Sequence, residues 1–323
     1  MWRAALIWVL TALPLVAQGV EDRLQGAFET WVAAQGTTGV FGAAVRRDGA
    51  WRMPAGQSPG ELASVSKSIT AICALALVDE GLLDWSDTVA DRLGQGPQVT
   101  VAQLVTHSSG LARDSTQAAM PLWLDRPTAA AGHNAQAVLD IVAARGAPQG
   151  TPGRYAYNNE NYALLALMIE AASGQAYRDA CWPRLGLDDG IAISPRAAAF
   201  GPWGGIMADP EAYLSFLHRH FGPGSRVWAD PFALPHVEIG GGAYYGLGMV
   251  FRRFGDSYNF WHFGAQCFPD RLNAGSYAVM WEGKVSALAL YDACVDWDTM
   301  FALDAALSRA VYEGGQCSRG RSC

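Results

Sequence analysis

The chain has 323 residues, of which 50% are hydrophobic and 16% are charged, and its formal net charge at pH 7 is −7. This composition is typical of a globular protein with one large core or two subdomains. The acidic balance, without any run of lysine and arginine, argues against nonspecific nucleic-acid binding, so we predict no nucleic-acid partner.

The N-terminus has the pattern of a secretory signal peptide. Arg3 precedes the apolar run 4–16, and residues 17–19 form a small-x-small cleavage signal. The run is too short to span a bilayer comfortably. We therefore predict a signal peptide over residues 1–19, with an uncleaved anchor as the alternative. No other segment has the pattern of a membrane span, so we expect a secreted or periplasmic protein, and a monomer.

Six cysteines fit an oxidising compartment but do not form a dense disulfide framework, and no CxxC pair suggests zinc. They are Cys73, Cys181, Cys267, Cys294, Cys317 and Cys323. Cys73 lies in an apolar helical stretch and is predicted to be a buried free thiol. Cys267 and Cys294 end neighbouring predicted strands and could pair, and Cys317 and Cys323 could close a small loop.

The predicted elements alternate between strand-rich ends and a helical middle. They are a helix over 21–34, a strand–turn–strand over 39–52, an apolar helix over 65–80, helices with long loops over about 84–240, strands after Gly246, and a helix over 297–312. The simplest packing is an α/β (α+β) fold, in which one antiparallel sheet is built from both chain ends and flanked by helices. The helical lobe, about 84–240, is inserted into a single domain over 20–313, and 314–323 is a tail. An active site is expected in the cleft between the lobes.

A lysine stands out at the start of the long apolar helix, because Lys67 and Lys284 are the only lysines in the sequence. Ser64 lies three positions before Lys67, so the two side chains would share one helix face. A serine hydroxyl needs a neighbouring base to become a nucleophile, and a partly buried lysine could serve. The structural alternative is a serine N-cap beside a snorkelling lysine.

A second candidate segment is "YNN", in which Tyr157 and Asn159 precede another apolar helical stretch. A tyrosine near a lysine ammonium can have a lowered pKa and relay protons. An asparagine beside it can contact a substrate carbonyl or hold the lysine. The structural alternative is that Tyr157 packs partly in the core and Asn159 caps a helix.

The third segment is the predicted strand "NFWHFGAQ", which contains His262, Phe263, Gly264 and Ala265. Gly264 permits close approach of another backbone, and a substrate could lie along this strand as an additional one. The backbone N–H of Ala265, with that of Ser64, could form an oxyanion hole.

Taken in order, Ser64-x-x-Lys67, Tyr157-x-Asn159 and His262-x-Gly264 resemble the active-site motifs of the serine β-lactamase/penicillin-recognising superfamily. They are most similar to its branch of class C β-lactamases, D,D-carboxypeptidases and family VIII esterases. The stretches "LVTHSSGL", "GPWGGIMADPEAYLSFL" and "YYGLGM" also resemble segments of that family, and the likeness covers about residues 20–310.

The resemblance implies an α/β sandwich with a helical lobe, acylation of a serine, and hydrolysis by water without a metal or cofactor. It makes Ser64 the nucleophile, Lys67 its base or proton partner and Tyr157 the proton shuttle. Asn159 would contact Lys67 and the substrate carbonyl, and His262 takes the place where many relatives have a lysine. Ala265 would supply the second oxyanion N–H.

One departure from the family bears on the substrate. Where the third motif often has Lys-Thr-Gly or His-Thr-Gly, this chain has His-Phe-Gly, so Phe263 has no hydroxyl to bind a carboxylate. His262 is expected to be mostly neutral near pH 7. Both changes weaken the binding of an anionic β-lactam or peptide C-terminus, and favour an uncharged ester or amide. We therefore predict a secreted serine hydrolase acting through an acyl-enzyme on a small ester, amide or peptide.

Two other functions fit parts of the sequence. His218, His220 and His236 offer three imidazoles for zinc, but residues i and i+2 of a helix point apart, which favours a solvated helix end. A catalytically weak penicillin-binding or sensor protein on the same scaffold is the second alternative, because fold does not fix function. The reactive side chains at all three motifs argue against it.

Overall fold

A computed structural model describes residues 19–126, 128 and 132–313 of the chain. The helices of this part are α1 (Val20–Gln35), α2 (Ser66–Asp79), α3 (Val89–Leu93), α4 (Val101–Val105), α5 (Thr116–Trp123), α6 (Ala135–Arg145), α7 (Glu160–Ser173), α8 (Tyr177–Leu185), α9 (Gly201–Gly204), α10 (Pro210–Phe221), α11 (Arg226–Ala229) and α12 (Trp297–Tyr312). The strands are β1 (Gly39–Arg47), β2 (Ala50–Arg52), β3 (Gly60–Glu61), β4 (Ile191–Ile193), β5 (Ile206–Ala208), β6 (Val237–Gly240), β7 (Ala243–Gly246), β8 (Met249–Phe254), β9 (Ser257–Phe268), β10 (Leu272–Trp281) and β11 (Val285–Tyr291). The predicted signal peptide, apart from Gly19, and the tail 314–323 lie outside the described residues.

The main sheet has eight antiparallel strands in the order β2-β1-β11-β10-β9-β8-β7-β6. The N-terminal and C-terminal parts of the chain meet in this sheet where β1 pairs with β11, with Val40 opposite Leu290. The predicted antiparallel sheet, built from both chain ends and flanked by helices, is therefore confirmed. A second sheet of three short strands, in the order β3-β5-β4, lies beside it.

Two hydrophobic cores cover the two faces of the main sheet. The smaller core packs α1 and α12 against one face, through side chains such as Phe28, Phe41 and Leu303. The larger core contains α2 and α7, which are apolar on nearly all sides because helices surround them. An apolar helix without a polar face is stable only when it is buried. The sequence "AICALALV" therefore places α2, and the motif at its start, in the interior.

The part of the chain before Gly246 contains short strands that the sequence patterns did not reveal. β4 and β5 have three residues each, and β6 and β7 have four each and precede the predicted return of strands at Gly246. Strands this short do not show a two-residue period, and the glycines of "GGGAYYG" further obscure it. β6 and β7 extend the main sheet at its edge, next to the cavity described below.

The structure corrects one cysteine prediction and confirms another. Cys73 is buried as expected, but it is not a free thiol, because it forms a disulfide with Cys181 on α8. The two residues are 108 positions apart, so only the packing of α2 against α8 reveals the pair. Cys267 and Cys294 form a disulfide as predicted. The possible Cys317–Cys323 loop lies outside the described residues.

In the described part of the chain, no helix is both long enough and apolar enough to cross a membrane.

Candidate active site

Ser64 lies in a 3₁₀ turn, Ala63–Val65, that leads directly into α2. The sequence prediction started the α-helix at residue 65, and the structure starts it one residue later, at Ser66. Ala63 has a left-handed backbone with φ of 44°, which a non-glycine residue adopts only when its surroundings enforce it. One such constraint is the Ser276 hydroxyl of β10, which donates to the carbonyl oxygen of Leu62 at 2.6 Å. The turn that presents Ser64 is thus held by the sheet.

Lys67 is completely buried one turn further along α2. Its Nζ lies 3.2 Å from Ser64 Oγ, so the pairing predicted from the Ser-x-x-Lys spacing is present. The same nitrogen lies 2.8 Å from Asn159 Oδ1 and 2.6 Å from the carbonyl oxygen of Trp203. Both of these oxygens are acceptors only, so they orient the amine with respect to Ser64.

Burial lowers the pKa of Lys67 to about 7, and the negative charge of Asp114 opposes this shift. The amine is therefore neutral in a large fraction of molecules at neutral pH. A neutral amine has two hydrogens, which Asn159 Oδ1 and the Trp203 carbonyl can accept. Its lone pair is then left for the hydroxyl of Ser64. The geometry is that of a base positioned to accept the serine proton.

Tyr157 approaches Ser64 from the opposite lobe and donates its hydroxyl to Ser64 Oγ at 2.7 Å. The residue as a whole is 40% exposed, because its side chain lines an open cavity and directs its hydroxyl at Ser64. Removal of the hydroxyl from water raises the pKa of Tyr157, and the hydrogen bond to Ser64 only partly offsets this. The expectation of a lowered pKa was therefore wrong, although Lys67 Nζ lies 5.0 Å from the centre of the ring. Tyr157 is a neutral phenol in the resting site.

Asn159 is positioned by Asp114, which lies in the loop before α5. The backbone N–H of Asn159 donates to Asp114 Oδ2 at 3.1 Å. The other carboxylate oxygen accepts from the backbone N–H and the hydroxyl of Thr116, at 3.0 and 2.6 Å. Asp114 thus connects this loop to the start of α7 and places a negative charge near Lys67.

A buried ion pair supports the same junction. Glu160, which is fully buried, accepts from Arg145 Nη2 at 2.7 Å and Nη1 at 3.1 Å. The hydroxyl and backbone N–H of Ser115 also donate to Glu160, at 2.6 and 2.9 Å. A buried carboxylate with several charge-assisted partners is a rigid anchor. It fixes the "YNNE" segment against the neighbouring loop.

His262 on β9 is buried and neutral. Burial lowers its pKa to about 3, and the positive charge of Lys67 acts in the same direction. Its Nδ1 lies 2.5 Å from the carbonyl oxygen of Phe263, and its Nε2 lies 3.2 Å from the Tyr245 hydroxyl. Since the carbonyl can only accept, Nδ1 is the protonated nitrogen and Nε2 accepts from Tyr245. The expected neutrality of this histidine agrees with its surroundings.

Phe263 lies on the face of β9 opposite to His262. Its ring stacks on Tyr277 at a centroid distance of 4.3 Å and meets the edge of Phe301 on α12 at 5.9 Å. Successive side chains of a strand point to opposite faces, so a buried His262 requires this orientation. Phe263 therefore shapes the substrate cavity as part of an apolar wall behind the strand.

Gly264 and Ala265 lie where β9 has an open edge. Pairing of β8 with β9 ends at Trp261, whereas β10 pairs with β9 as far as Phe268. A Cβ atom on Gly264 would lie 2.9 Å from Ala63 Cβ, so only glycine lets β9 approach the turn that contains Ser64. The predicted role of this glycine in close backbone approach fits the structure, and the open edge could accept an extended substrate.

These residues surround a single cavity of about 780 Å³. Its volume is in the range typical of small-molecule sites. Its lining includes Ser64, Tyr157, Asn159, His262, Phe263, Gly264 and Ala265, together with Trp203, Gly204, Tyr155, Tyr245, Gln117, Met120, Ile239, Val250, Arg252, Trp261, Gln266, Phe268, Trp297, Met300 and Phe301. All predicted site residues therefore meet at this cavity, except that Lys67 lies beneath its floor.

Several residues of the site were not found from the sequence. Asp114, Arg145 and the Trp203 carbonyl act through the fold, and no local pattern indicates them. Glu160 was the easiest of these to predict from the sequence, because it directly follows the Tyr157-x-Asn159 motif. An acidic residue entering an apolar helix must find a partner, which is a signal of a buried ion pair.

The three histidines considered, and disfavoured, as zinc ligands have separate partners. His218 Nε2 lies 2.6 Å from Ser286 Oγ, and its ring stacks on Trp51. His236 Nδ1 contacts the carbonyl oxygen of Leu234, and the ring of His220 lies against Phe216. In the described ranges, no three His, Cys, Asp or Glu side chains are grouped so that they could hold a metal ion.

Comparison with known proteins agrees with the motifs. The family model described as Beta-lactamase matches residues 16–264. Penicillin-binding protein 4 of Amycolatopsis lactamdurans is 30% identical over 200 residues, which are 55% of this chain and 50% of that protein. Penicillin-binding protein 4* of Bacillus subtilis (strain 168) is 35% identical over 124 residues, 37% of this chain and 26% of that protein. The chain thus spans half or less of these curated relatives.

Solved structures share the fold over nearly the whole chain. A D-stereospecific amidohydrolase from Streptomyces sp. aligns with a TM-score of 0.68 and 20% identity, covering 91% of this chain and 99% of that one. The D-amino acid amidase from Ochrobactrum anthropi SV3, complexed with L-phenylalanine amide, aligns with a TM-score of 0.67 and 19% identity, covering 93% and 99%. At these identities the likeness shows a common fold, and the resemblance deduced from the motifs is confirmed.

Proposed function

Because the chain belongs to the beta-lactamase family, we propose that it is a serine hydrolase that cleaves an ester or amide through an acyl-enzyme on Ser64. One observation supports this most directly: Ser64 Oγ lies between Lys67 Nζ, at 3.2 Å, and the Tyr157 hydroxyl, at 2.7 Å. The base can take the proton of the serine hydroxyl, which makes the serine a nucleophile. The proton donor can protonate the leaving group, which prevents it from attacking the acyl-enzyme again.

In the first step, neutral Lys67 accepts the proton of Ser64 and Oγ bonds to the substrate carbonyl carbon. Lys67, with a pKa of about 7, is the resting base, since the raised pKa of Tyr157 leaves almost no tyrosinate near neutral pH. The carbonyl oxygen becomes an anion, which the backbone N–H groups of Ser64 and Ala265 stabilise. Asn159 keeps Lys67 oriented during this transfer.

In the second step, the bond to the leaving group breaks and Tyr157 donates its proton to the departing atom. The Lys67 ammonium then returns a proton to the phenolate, so that the proton taken from Ser64 balances the one given to the leaving group. Water next enters the vacated position and attacks the acyl carbon, and the same groups transfer protons in reverse order. The products are an acid and an alcohol or amine.

The substrate is proposed to be uncharged close to the scissile bond. His262 is neutral, and Phe263 faces away from it and offers no hydroxyl. Neither residue can neutralise a carboxylate there, which disfavours penicillins as good substrates. Short-chain esters and amides, including amides of D-amino acids of the kind named in the amidase relative, fit this site better.

We further propose that the protein acts outside the cytoplasm as a single hydrolase domain over residues 20–313, and as a monomer. The disulfides Cys73–Cys181 and Cys267–Cys294 support an oxidising compartment. Penicillin binding without turnover is the second candidate function. It is supported by the curated relatives, which are both named as penicillin-binding proteins.

The proposal is tested by labelling the purified protein with a fluorophosphonate and, separately, with a fluorescent penicillin. We expect fluorophosphonate to add covalently to Ser64, as located by peptide mass spectrometry, and labelling to be absent in Ser64→Ala. A hydrolysis panel of p-nitrophenyl esters, nitrocefin and D-amino-acid amides then identifies the turnover substrates. Stable penicillin labelling without hydrolysis of any member would favour the binding protein, and no labelling in the folded protein would refute the nucleophile.

The pH dependence of acylation follows from the pKa of Lys67. Only the neutral amine accepts a proton, so kcat/KM for a neutral ester should rise tenfold per pH unit below about pH 7 and level off above it. His262, with a pKa of about 3, and Tyr157, with a raised pKa, do not titrate in this window. The profile is measured from about pH 5 to pH 9 after subtraction of the Ser64→Ala background. A profile that is flat through pH 7, or that falls with pH, would exclude neutral Lys67 as the base.

A further inference from the structure

The cavity extends beyond the reacting groups into a pocket on the far face of β9, which we call the aromatic annex. Its walls are the side chains of Trp261 and Phe263 from β9 and of Trp297 and Phe301 from α12. Phe301 contacts Phe263 edge to face at 5.9 Å and Trp297 at 6.0 Å. Ser64 and these four residues line the same cavity, so one ligand can contact both.

The annex exposes far more aromatic surface than folding requires. Trp297 is 63% exposed and Phe301 is 54% exposed, although they are adjacent on the first turns of α12. Contiguous exposed aromatic side chains beside a cavity usually bind an apolar ligand group. Nothing in the reaction proposed for Ser64 uses them.

One charged residue lines the cavity together with this aromatic surface. Arg252 on β8 is exposed, and its guanidinium lies 5.8 Å from the centre of the Trp261 ring. The residues lining the cavity include no aspartate or glutamate. Among residues 19–126, 128 and 132–313, no carboxylate pairs with Arg252 within 4 Å. A guanidinium supported by an aromatic ring and without an anion is suited to bind a ligand carboxylate.

The register of the sheet places Arg252 at a defined position along β9 relative to His262. Arg252 lies opposite Asn259, and Val250, two residues earlier, lies opposite Trp261. Arg252 is therefore three residues of β9 from His262, or about 10 Å along the strand. Arg253 has the opposite orientation, because its guanidinium lies over Tyr258 and Phe232.

The direction from Ser64 to Arg252 is the direction in which the leaving group departs. Tyr157, the proton donor to the leaving atom, lies beside His262, with ring centres 6.4 Å apart. The proposed oxyanion N–H of Ala265 lies on the other side of His262 along β9. A leaving group that takes its proton from Tyr157 therefore points toward β8 and the annex.

We propose that the aromatic annex and Arg252 form a leaving-group subsite, which selects esters or amides whose departing portion has an apolar, preferably aromatic, segment followed by a carboxylate. This inference rests on the proposed serine hydrolysis and names its substrate class. The region next to the scissile bond stays uncharged, and the anionic group is bound further away, at Arg252. The aromatic segment packs between Trp261 and the exposed face of α12.

The test uses a pair of acetate esters that differ only at the remote end. One is the acetate ester of para-hydroxyphenylpropanoic acid, and the other is the same ester with a carboxamide in place of the carboxylate. We expect kcat/KM to be roughly tenfold higher for the carboxylate, as one charge-assisted contact would give, and the ratio to fall toward one in Arg252→Gln. Arg252→Lys should retain part of the preference, and added salt should reduce it in the wild type.

Arg253→Gln is the matched control, because it removes the same charge from the neighbouring exposed position on the other face of the strand. It should leave the carboxylate preference unchanged. Trp297→Ala, at a highly exposed position, should lower kcat/KM for both aromatic esters several-fold relative to ethyl acetate. A wild-type ratio near one, or a ratio that persists in Arg252→Gln, would overturn the subsite.

A third series of substrates tests whether Arg252 binds a carboxylate on the leaving group or one on the acyl group. p-Nitrophenyl monoesters of glutaric, adipic and suberic acids carry the carboxylate on the acyl portion, and they should show no dependence on Arg252. Dependence in this series but not in the phenol series would place Arg252 on the acyl side and overturn the assignment.

If no ester is hydrolysed above the Ser64→Ala background, the hydrolase proposal fails, and the subsite is tested alone. Tryptophan fluorescence is then titrated with para-hydroxyphenylpropanoate and with its carboxamide. We expect roughly tenfold tighter binding of the carboxylate, lost in Arg252→Gln and kept in Arg253→Gln. Equal binding of the two compounds would refute the subsite independently of catalysis.

Discussion

Replacement of Lys67 by arginine is expected to lower kcat/KM for acylation by at least about a thousandfold, although the positive charge is kept. An arginine guanidinium does not give up its proton in proteins, so it cannot accept the proton of Ser64. The loss corresponds to about 4 kcal/mol of transition-state stabilisation. It is measured as the rate of fluorophosphonate labelling and as kcat/KM for a neutral p-nitrophenyl ester.

The environment of Lys67 makes this result specific to proton transfer. The amine is fully buried, and its two acceptors, Asn159 Oδ1 and the Trp203 carbonyl, can also accept from a guanidinium. A merely structural cation would therefore retain much of its function as arginine. Burial lowers the pKa of Lys67 to about 7, and this property is the one that arginine lacks.

Two variants control for effects other than proton transfer. Lys284→Arg makes the same change at the other lysine, whose side chain is 71% exposed and pairs with Glu282, and it should leave activity unchanged. Lys67→Met keeps an unbranched side chain, one atom shorter and without the amine, and should be equally inactive. If Lys67→Arg labels within tenfold of the wild-type rate while folded by circular dichroism, Lys67 is not the base.

The sequence predicted the parts of the site that depend on short spacing. Ser64 and Lys67 meet because residues three apart share a face where a helix begins, and this holds even though Ser64 lies in the 3₁₀ turn that precedes the α-helix. The face on which Phe263 lies could also have been predicted, since strand side chains alternate and His262 was assigned to the site. The sequence argument placed Phe263 beside the substrate carboxylate, and the structure stacks it on Tyr277 instead.

The remaining features depend on contacts between distant segments. The Cys73–Cys181 disulfide and the Arg145–Glu160 ion pair join helices whose proximity no local pattern reveals. The raised pKa of Tyr157 also depends on distant segments, because burial by the surrounding structure is its largest cause. A lowered value was expected from the neighbouring lysine charge, but desolvation is the larger effect and also makes that lysine less charged.

Gly264→Ala is expected to lower kcat/KM by about a hundredfold, because a methyl group at this position would separate β9 from the turn that presents Ser64. The added Cβ would lie 2.5 Å from the carbonyl oxygen of Leu62 and would overlap the Ser276 hydroxyl that donates to that oxygen. Ordinary contact requires about 1 Å more, and a displacement of that size between a nucleophile and its oxyanion donors costs about this much rate. The backbone N–H of Ala265 would move with the strand.

The control for this prediction is a second glycine of the same sheet. A Cβ on Gly42 of β1 would overlap Pro210 and lie 2.9 Å from Pro54 Cγ, away from the cavity. Gly42→Ala should therefore lower the melting temperature, as Gly264→Ala also should, but leave kcat/KM per folded molecule unchanged. Activities are normalised to the folded fraction measured by circular dichroism. If both variants lose stability and neither loses activity, the distance between β9 and the Ser64 turn does not limit catalysis, and the oxyanion role proposed for Ala265 fails with it.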